Sequence, residues 1–168
     1  LTYLKVAGEL QEGPVQNYST TLSFHRSQDS AFQDRSPTDV RTQVIDVDTL
    51  GLDIQLESEL LGGNLVYGLD YYRDSIDSAG TRTGRDPRSR RPVADDSTYH
   101  LLGAFAQLRK PLSQKLETTF GVRITRAEAE LGRVWDPDND TDISASENWS
   151  NVIFNARALY QLDDSWNL

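Results

Sequence analysis

Residues 50–75 read LGLDIQLESELLGGNLVYGLDYYRDS, and the architecture follows from how this stretch alternates. Leu50, Leu52, Ile54 and Leu56 alternate with Gly51, Asp53, Gln55 and Glu57, so a strand here has one aliphatic face and one charged or small face. Leu61, Gly62, Gly63 and Asn64 supply a tight turn, glycine reaching positive φ without steric cost. In the second arm Leu65, Tyr67, Leu69 and Tyr71 oppose Val66, Gly68, Asp70 and Tyr72. Soluble sandwiches alternate too. This hairpin differs from them because Asp53, Glu57, Glu59 and Asp70 crowd its polar face, while the apolar face stays clean for about seven residues per arm and ends in tyrosine. Aliphatic outside, charged inside and aromatic at the rim is the pattern of a transmembrane β-barrel.

Composition is compatible with that reading. The chain has 168 residues, 37% hydrophobic and 26% charged, with a net charge of −9, and its mean hydropathy is negative. A barrel shows lipid only every second strand residue, and its polar lumen and loops lower the mean. No run approaches 18 apolar residues, so a transmembrane helix is excluded. With no cysteine there is neither a disulfide nor a thiolate metal site. The acidic balance argues against nucleic-acid binding, which needs clustered Lys and Arg. A start at Leu1, the lack of any Met and a stop at Leu168 just after a turn suggest a piece of a longer chain.

Outward from the hairpin, strands are expected over Tyr3–Leu10, Val15–Arg26, Thr42–Glu59, Tyr99–Arg109, Leu116–Thr125 and Val152–Leu162. In Tyr99–Arg109 the register is ambiguous, and the set Leu101, Gly103 and Phe105 is favoured for the apolar face over Leu102, Ala104 and Ala106. Short turns are expected near 11–14, 61–64, 110–114 and 163–165; long, aperiodic polar loops over 27–41, 77–97 and 132–148. Strict alternation of short and long connections is what outer-membrane barrels show, with short periplasmic turns and long extracellular loops. Tyr18, Tyr160 and Trp166 would then lie near the periplasmic rim, and Phe24, Tyr71, Tyr99 and Trp149 near the outer one.

The run Thr42–Glu59 is about 18 residues long where roughly 9–11 suffice to cross a bilayer, so these strands should project well beyond it. Three runs, LVYGLDYYRDSIDS from Leu65, LLGAFAQLRKPLSQKLETTFGVRITRAEAELG from Leu101 and the closing ALYQLDDSWNL, resemble the barrel of TonB-dependent outer-membrane receptors, over most of the chain from about Val15. The resemblance implies an all-β antiparallel up-and-down meander, about eight strands of a transmembrane barrel of about 22, with the plug domain and TonB box outside these residues. It implies no enzyme but a receptor of a Gram-negative-type outer membrane. That receptor takes up a scarce ligand, expected to be a ferric siderophore, with haem and cobalamin as alternatives. Its partners would be lipid and lipopolysaccharide, its own plug, and TonB. A small closed barrel of about eight strands, and a soluble β-sandwich that binds carbohydrate or protein, are the other readings.

No catalytic constellation is visible. Asp53, Glu57 and Asp70 read as wall residues paired with Arg123, Arg157 or a plug. His25 and His100 are expected near the outer strand ends, both inward; the family's haem receptors use extracellular histidines, so a haem site is one reading and coincidence the other. Arg82, Arg85, Arg88, Arg90 and Arg91 give loop 77–97 a positive patch, able to steer an anionic ferric siderophore or simply to meet lipid A phosphates. In DPDNDTDISASE, the residues Asp136, Asp138, Asp140, Asp142, Ser144 and Glu147 approach EF-hand spacing for calcium, but Thr141 stands where the turn glycine belongs and the flanks are strands. An acidic solvated loop is the plainer reading.

Overall fold

Alternation of this kind leaves each strand able to pair only with extended neighbours, and a computed structural model describing residues 1–162 shows them paired in chain order. The strands are β1 (Thr2–Glu9), β2 (Asn17–Ser36), β3 (Asp39–Leu60), β4 (Gly63–Arg82), β5 (Ser97–Pro111), β6 (Leu116–Asp136) and β7 (Thr141–Tyr160), and every neighbour pair is antiparallel. The one other element among the described residues is a short 3-10 helix, Pro87–Arg90. The expected turn at 163–165, Trp166 and the start of an eighth strand lie outside the described residues.

β3 and β4 meet at Leu61–Gly62, both at positive φ (53° and 73°), the geometry that matches the twist of a two-residue hairpin. The far ends of the strands depart from expectation. Residues 27–36 continue β2, and only Pro37 and Thr38 separate it from β3. Likewise β6 and β7 take up most of 132–148 and leave only 137–140 as the turn. Period two disappears there because water wets both faces of a strand that has left the apolar zone. The backbone ladder continues regardless. The segment 83–96 remains a true connection.

Register assigns the faces. Leu22, Leu52, Tyr71 and Leu102 share one row, Thr20, Ile54, Leu69, Ala104, Ile124 and Val152 the next, and Tyr18, Leu56, Tyr67, Ala106, Val122 and Phe154 the one after. β5 therefore shows Leu102, Ala104 and Ala106 on the aliphatic face, and Leu101, Gly103 and Phe105 on the polar one, the reverse of the favoured register. Leu101, Leu102, Ala104 and Phe105 put apolar side chains on both parities and fit either register by themselves; the pairing of Asp70 with Gly103 settles it. Tyr99 and Trp149 fall on the polar face by the same parity, so Phe24 and Tyr71 alone of the four expected residues form the aromatic rim at that edge.

The aliphatic face has no cover. No hydrophobic residue is buried among the described residues, and Phe120 and Phe154 remain 55% and 77% exposed. A single sheet with two wet faces has no soluble core to hold it.

The aliphatic band also drifts across the sheet. The row of Phe24, at its upper edge on β2, runs through Leu50, Arg73, His100 and Glu128 to Asn148, four residues from the band's first β7 member, Val152. The row of Tyr18, at the lower edge, reaches β7 at Phe154, six residues short of Tyr160. One residue of drift per strand corresponds to strands inclined by roughly 30–40° to the band, the tilt of closed barrels.

Candidate functional site at the long end of the sheet

The polar face is built from small residues under large ones. Asp70 on β4, only 7% exposed, receives Arg123 Nη2 from β6 at 2.8 Å, reaching across β5 at Gly103. A Cβ on Gly103 would collide with both partners, so glycine there is a requirement of the ion pair. Tyr72 lies over Gly51 and Phe105 over Gly68 in the same manner. Glu57 accepts from Asn17 Nδ2 at 3.1 Å, and Arg109 pairs with Glu117 at 2.8 Å. Of the expected wall acids, then, Asp70 and Glu57 have their partners within the sheet, while Asp53 makes no ion pair among the described residues.

At the long end, segment 83–96 folds onto the polar face. Gly80 makes room for it, because a Cβ there would strike the carbonyl of Arg90. Gln43 Nε2 donates to that carbonyl at 3.1 Å, Asp95 Oδ1 accepts from the Ser78 amide at 2.8 Å, and Asp95 exchanges backbone hydrogen bonds with Arg133. Asp86 caps the 3-10 helix by accepting from the Arg88 amide at 2.9 Å, with Pro87 behind it.

Two of the five arginines of the expected patch, Arg88 and Arg91, are consumed in this docking. Arg88 pairs with Asp86 (2.8 Å) and Asp140 (2.9 Å), and its guanidinium lies 3.8 Å from the ring centre of Trp135. Arg91 pairs with Asp142 (3.0 Å), and Arg133 with Asp95 (2.8 Å). Arg82 belongs to β4, where Asp39 grips it through two bonds of 2.7 and 3.1 Å. Arg85 and Arg90 have no acidic partner among the described residues, and Arg90 Nε is sheltered with no hydrogen-bond partner. The bonds from Arg82 and Arg88 hold the carboxyls of Asp39 and Asp86 below the usual range, and Asn139 does the same to Asp136.

The calcium ligand set is not assembled. Asp136 accepts from Asn139 Nδ2 (2.7 Å) and from the Asp138 amide (2.9 Å), Asp140 and Asp142 are committed to Arg88 and Arg91, and Ser144 and Glu147 lie along β7, Glu147 opposite Ala129. No group of three acidic, histidine or cysteine side chains is placed to hold a metal among the described residues. The two histidines are not together either. His25 faces the polar side as expected, but His100 is on the aliphatic side, sharing a 2.8 Å hydrogen bond with Tyr71 Oη. The inward placement of His100 fails with the β5 register on which it depended.

Sequence reading missed Arg35, Asp39 and Arg41, which line one cleft with Gln33 and Arg82. Arg41 sits opposite Gln33 on one side and Arg82 on the other. Gln33, Arg35, Asp39 and Arg41 fall within nine residues that read as a polar loop, and Arg82 comes about 40 residues later, so only the pairing of β2, β3 and β4 brings them together.

With this geometry in hand, likeness to known proteins is specific. A family model described as TonB dependent receptor-like, beta-barrel matches residues 5–168. Among solved structures, one named "Copper transporter OprC" superposes with a TM-score of 0.71 at 16% identity, over 96% of this chain and 27% of that one. The chain thus spans little more than a quarter of the length of that relative, and the likeness is one of fold. Comparison with curated proteins finds no match. The family match runs over nearly the whole chain, and this protein therefore belongs to the TonB-dependent receptor β-barrel family, whose members are transport proteins of the outer membrane and not enzymes.

Proposed function

We propose that these residues form about a third of the wall of a TonB-dependent transporter that imports a scarce ligand through the outer membrane, with a ferric siderophore as the ligand. The observation that carries this reading is the uncovered aliphatic band set against a polar face onto which a long loop folds. In this reading the band meets hydrocarbon, the polar face lines the lumen, and the end bearing 37–38, 83–96 and 137–140 is extracellular. The mechanism is the family's: outer loops and a plug bind the ligand, and TonB pulls the plug from the periplasm. The residues described here supply the rigid wall and the folded loop.

Haem is disfavoured as the ligand because His25 and His100 occupy opposite faces. Copper is the cargo that the name of OprC carries. This chain has neither Cys nor Met, the soft ligands that favour copper(I), so its own residues offer that ion little. The test is uptake by cells carrying the full-length receptor against a deletion strain, with iron-59 complexes of a panel of siderophores, haem, cobalamin and copper-64. Receptor-dependent ferric siderophore uptake, abolished without TonB, is expected. Uptake of copper or haem alone would replace the ligand, and uptake of none would remove the transport reading.

A further inference from the structure

We propose that Arg35, Arg41 and Arg82 form an oxyanion-binding site on the polar face of the projecting strands, taking a carboxylate or phosphate group of the imported ligand. The proposal rests on the uptake reading for the identity of the ligand; the site itself rests on geometry.

Arg41 and Arg82 are direct cross-strand partners, and Gln33 completes their row on β2. Like charges placed opposite one another destabilise a sheet unless something compensates them. Asp39 is the single acid lining the cleft, and both of its oxygens are taken by Arg82. That leaves Arg35 and Arg41 with no ion-pair partner among the described residues. Arg35 is exposed, while Arg41 is half-buried and its Nε is shielded from water without any hydrogen-bond partner. A sheltered guanidinium N–H with nothing to donate to is costly, and a two-oxygen anion satisfies the fork of an arginine as water does not.

On the docked loop and β6, Arg88, Arg91 and Arg133 are neutralised by aspartates, whereas Arg90, like Arg41, keeps a sheltered Nε with no partner. The loop that these pairs dock contributes nothing to the cleft's lining and lays Arg90 beside Gln43, the next polar-face residue along β3 from Arg41. Arg41 lies nine residues beyond Leu50, the band's edge on β3, hence about 30 Å along the strand and in the aqueous mouth where a ligand arrives. Two uncompensated positive charges there stand out on a chain of net charge −9. The rival explanation is a carboxylate from elsewhere in the same protein.

The test uses the full-length receptor in detergent and calorimetric titration with citrate and with pyrophosphate, which separate carboxylate from phosphate preference. Saturable binding of at least one probe is expected, weakened by added salt, weakened about tenfold in Arg41→Ala and more in Arg35→Ala/Arg41→Ala, partly kept in Arg41→Lys and unchanged in Lys115→Ala, in the β5–β6 turn at the opposite end of the sheet. Binding of neither probe overturns the site. So does unchanged binding in the double variant, and a double variant that loses thermal stability while binding is unaltered identifies an internal carboxylate as the partner. These titrations need no transport. Probe binding through Arg41 in a receptor that imports nothing would sink the uptake reading alone, and import without probe binding would sink the site alone.

Discussion

Gly103 shows how single side chains organise the polar face. Its missing Cβ lets Arg123 cross β5 to reach Asp70. Gly103→Val should break that pair and leave a nearly buried carboxylate unmatched, destabilising the full-length barrel by about 1–3 kcal/mol, with Asp70→Asn milder. The temperature at which the folded, fast-migrating form is lost on semi-native gels measures this, and an unchanged midpoint for Gly103→Val would mean that the pair contributes nothing. The docked loop should respond to acid. Asp39 and Asp86 have carboxyls held below their ordinary value by Arg82 and Arg88. A depressed carboxyl contributes stability that is fully present above its unfolded pKa of about 3.9 and is lost as pH falls through the lower folded value. The Asp86 cap and its grip on Arg88 should therefore hold down to about pH 4 and loosen below it, read as the change in emission that Trp135→Phe abolishes, since Arg88 lies over Trp135. A transition centred near neutrality would implicate other groups.

Among the strands, β5 gives the sharpest test of register. Leu102→Arg would put a charge in the aliphatic band and cost about 2–4 kcal/mol near the bilayer midplane, less toward the edge where Leu102 lies, whereas Leu101→Arg on the polar face should be tolerated. Denaturant unfolding of the reconstituted receptor, or its yield in the outer membrane, distinguishes them; equal effects would contradict the pairing of β4 with β5. The same comparison shows what the sequence could and could not reveal. In β3, β4, β6 and β7 one parity is apolar and the other polar, and the band is legible residue by residue. β5 is apolar on both parities, so only its neighbours fix it. Residues 27–36 and 141–148 looked like loops because they are wet on both sides, which erases the hydrophobic period without ending the ladder. Of the candidate site, the positive charge of loop 77–97 was legible, because its arginines are clustered in the chain. The cleft of Arg35, Asp39, Arg41 and Arg82 assembles from three strands and leaves no mark within any one of them.

Taken whole, the sheet is single-layered, and among the described residues β1 and β7 each keep one edge unpaired. An open edge cannot stand in hydrocarbon, where every backbone group must find a partner, so the wall requires further strands of the same barrel. The drift of about one residue per strand sets the tilt and implies a total stagger close to the strand number, as a large closed barrel needs. All of this depends on hydrocarbon touching Leu52, Leu69, Ala104, Phe120 and Phe154. These residues contain no cysteine, so single spin labels can be placed one at a time along 65–71 and 102–108 of the full-length receptor in bilayers, and their collisions with oxygen and with a water-soluble nickel chelate compared. A barrel wall predicts period-two accessibility, with oxygen maxima at 65, 67, 69 and 71 and at 102, 104, 106 and 108, and nickel maxima between them. Accessibility without alternation, or with the two maxima exchanged, would contradict it.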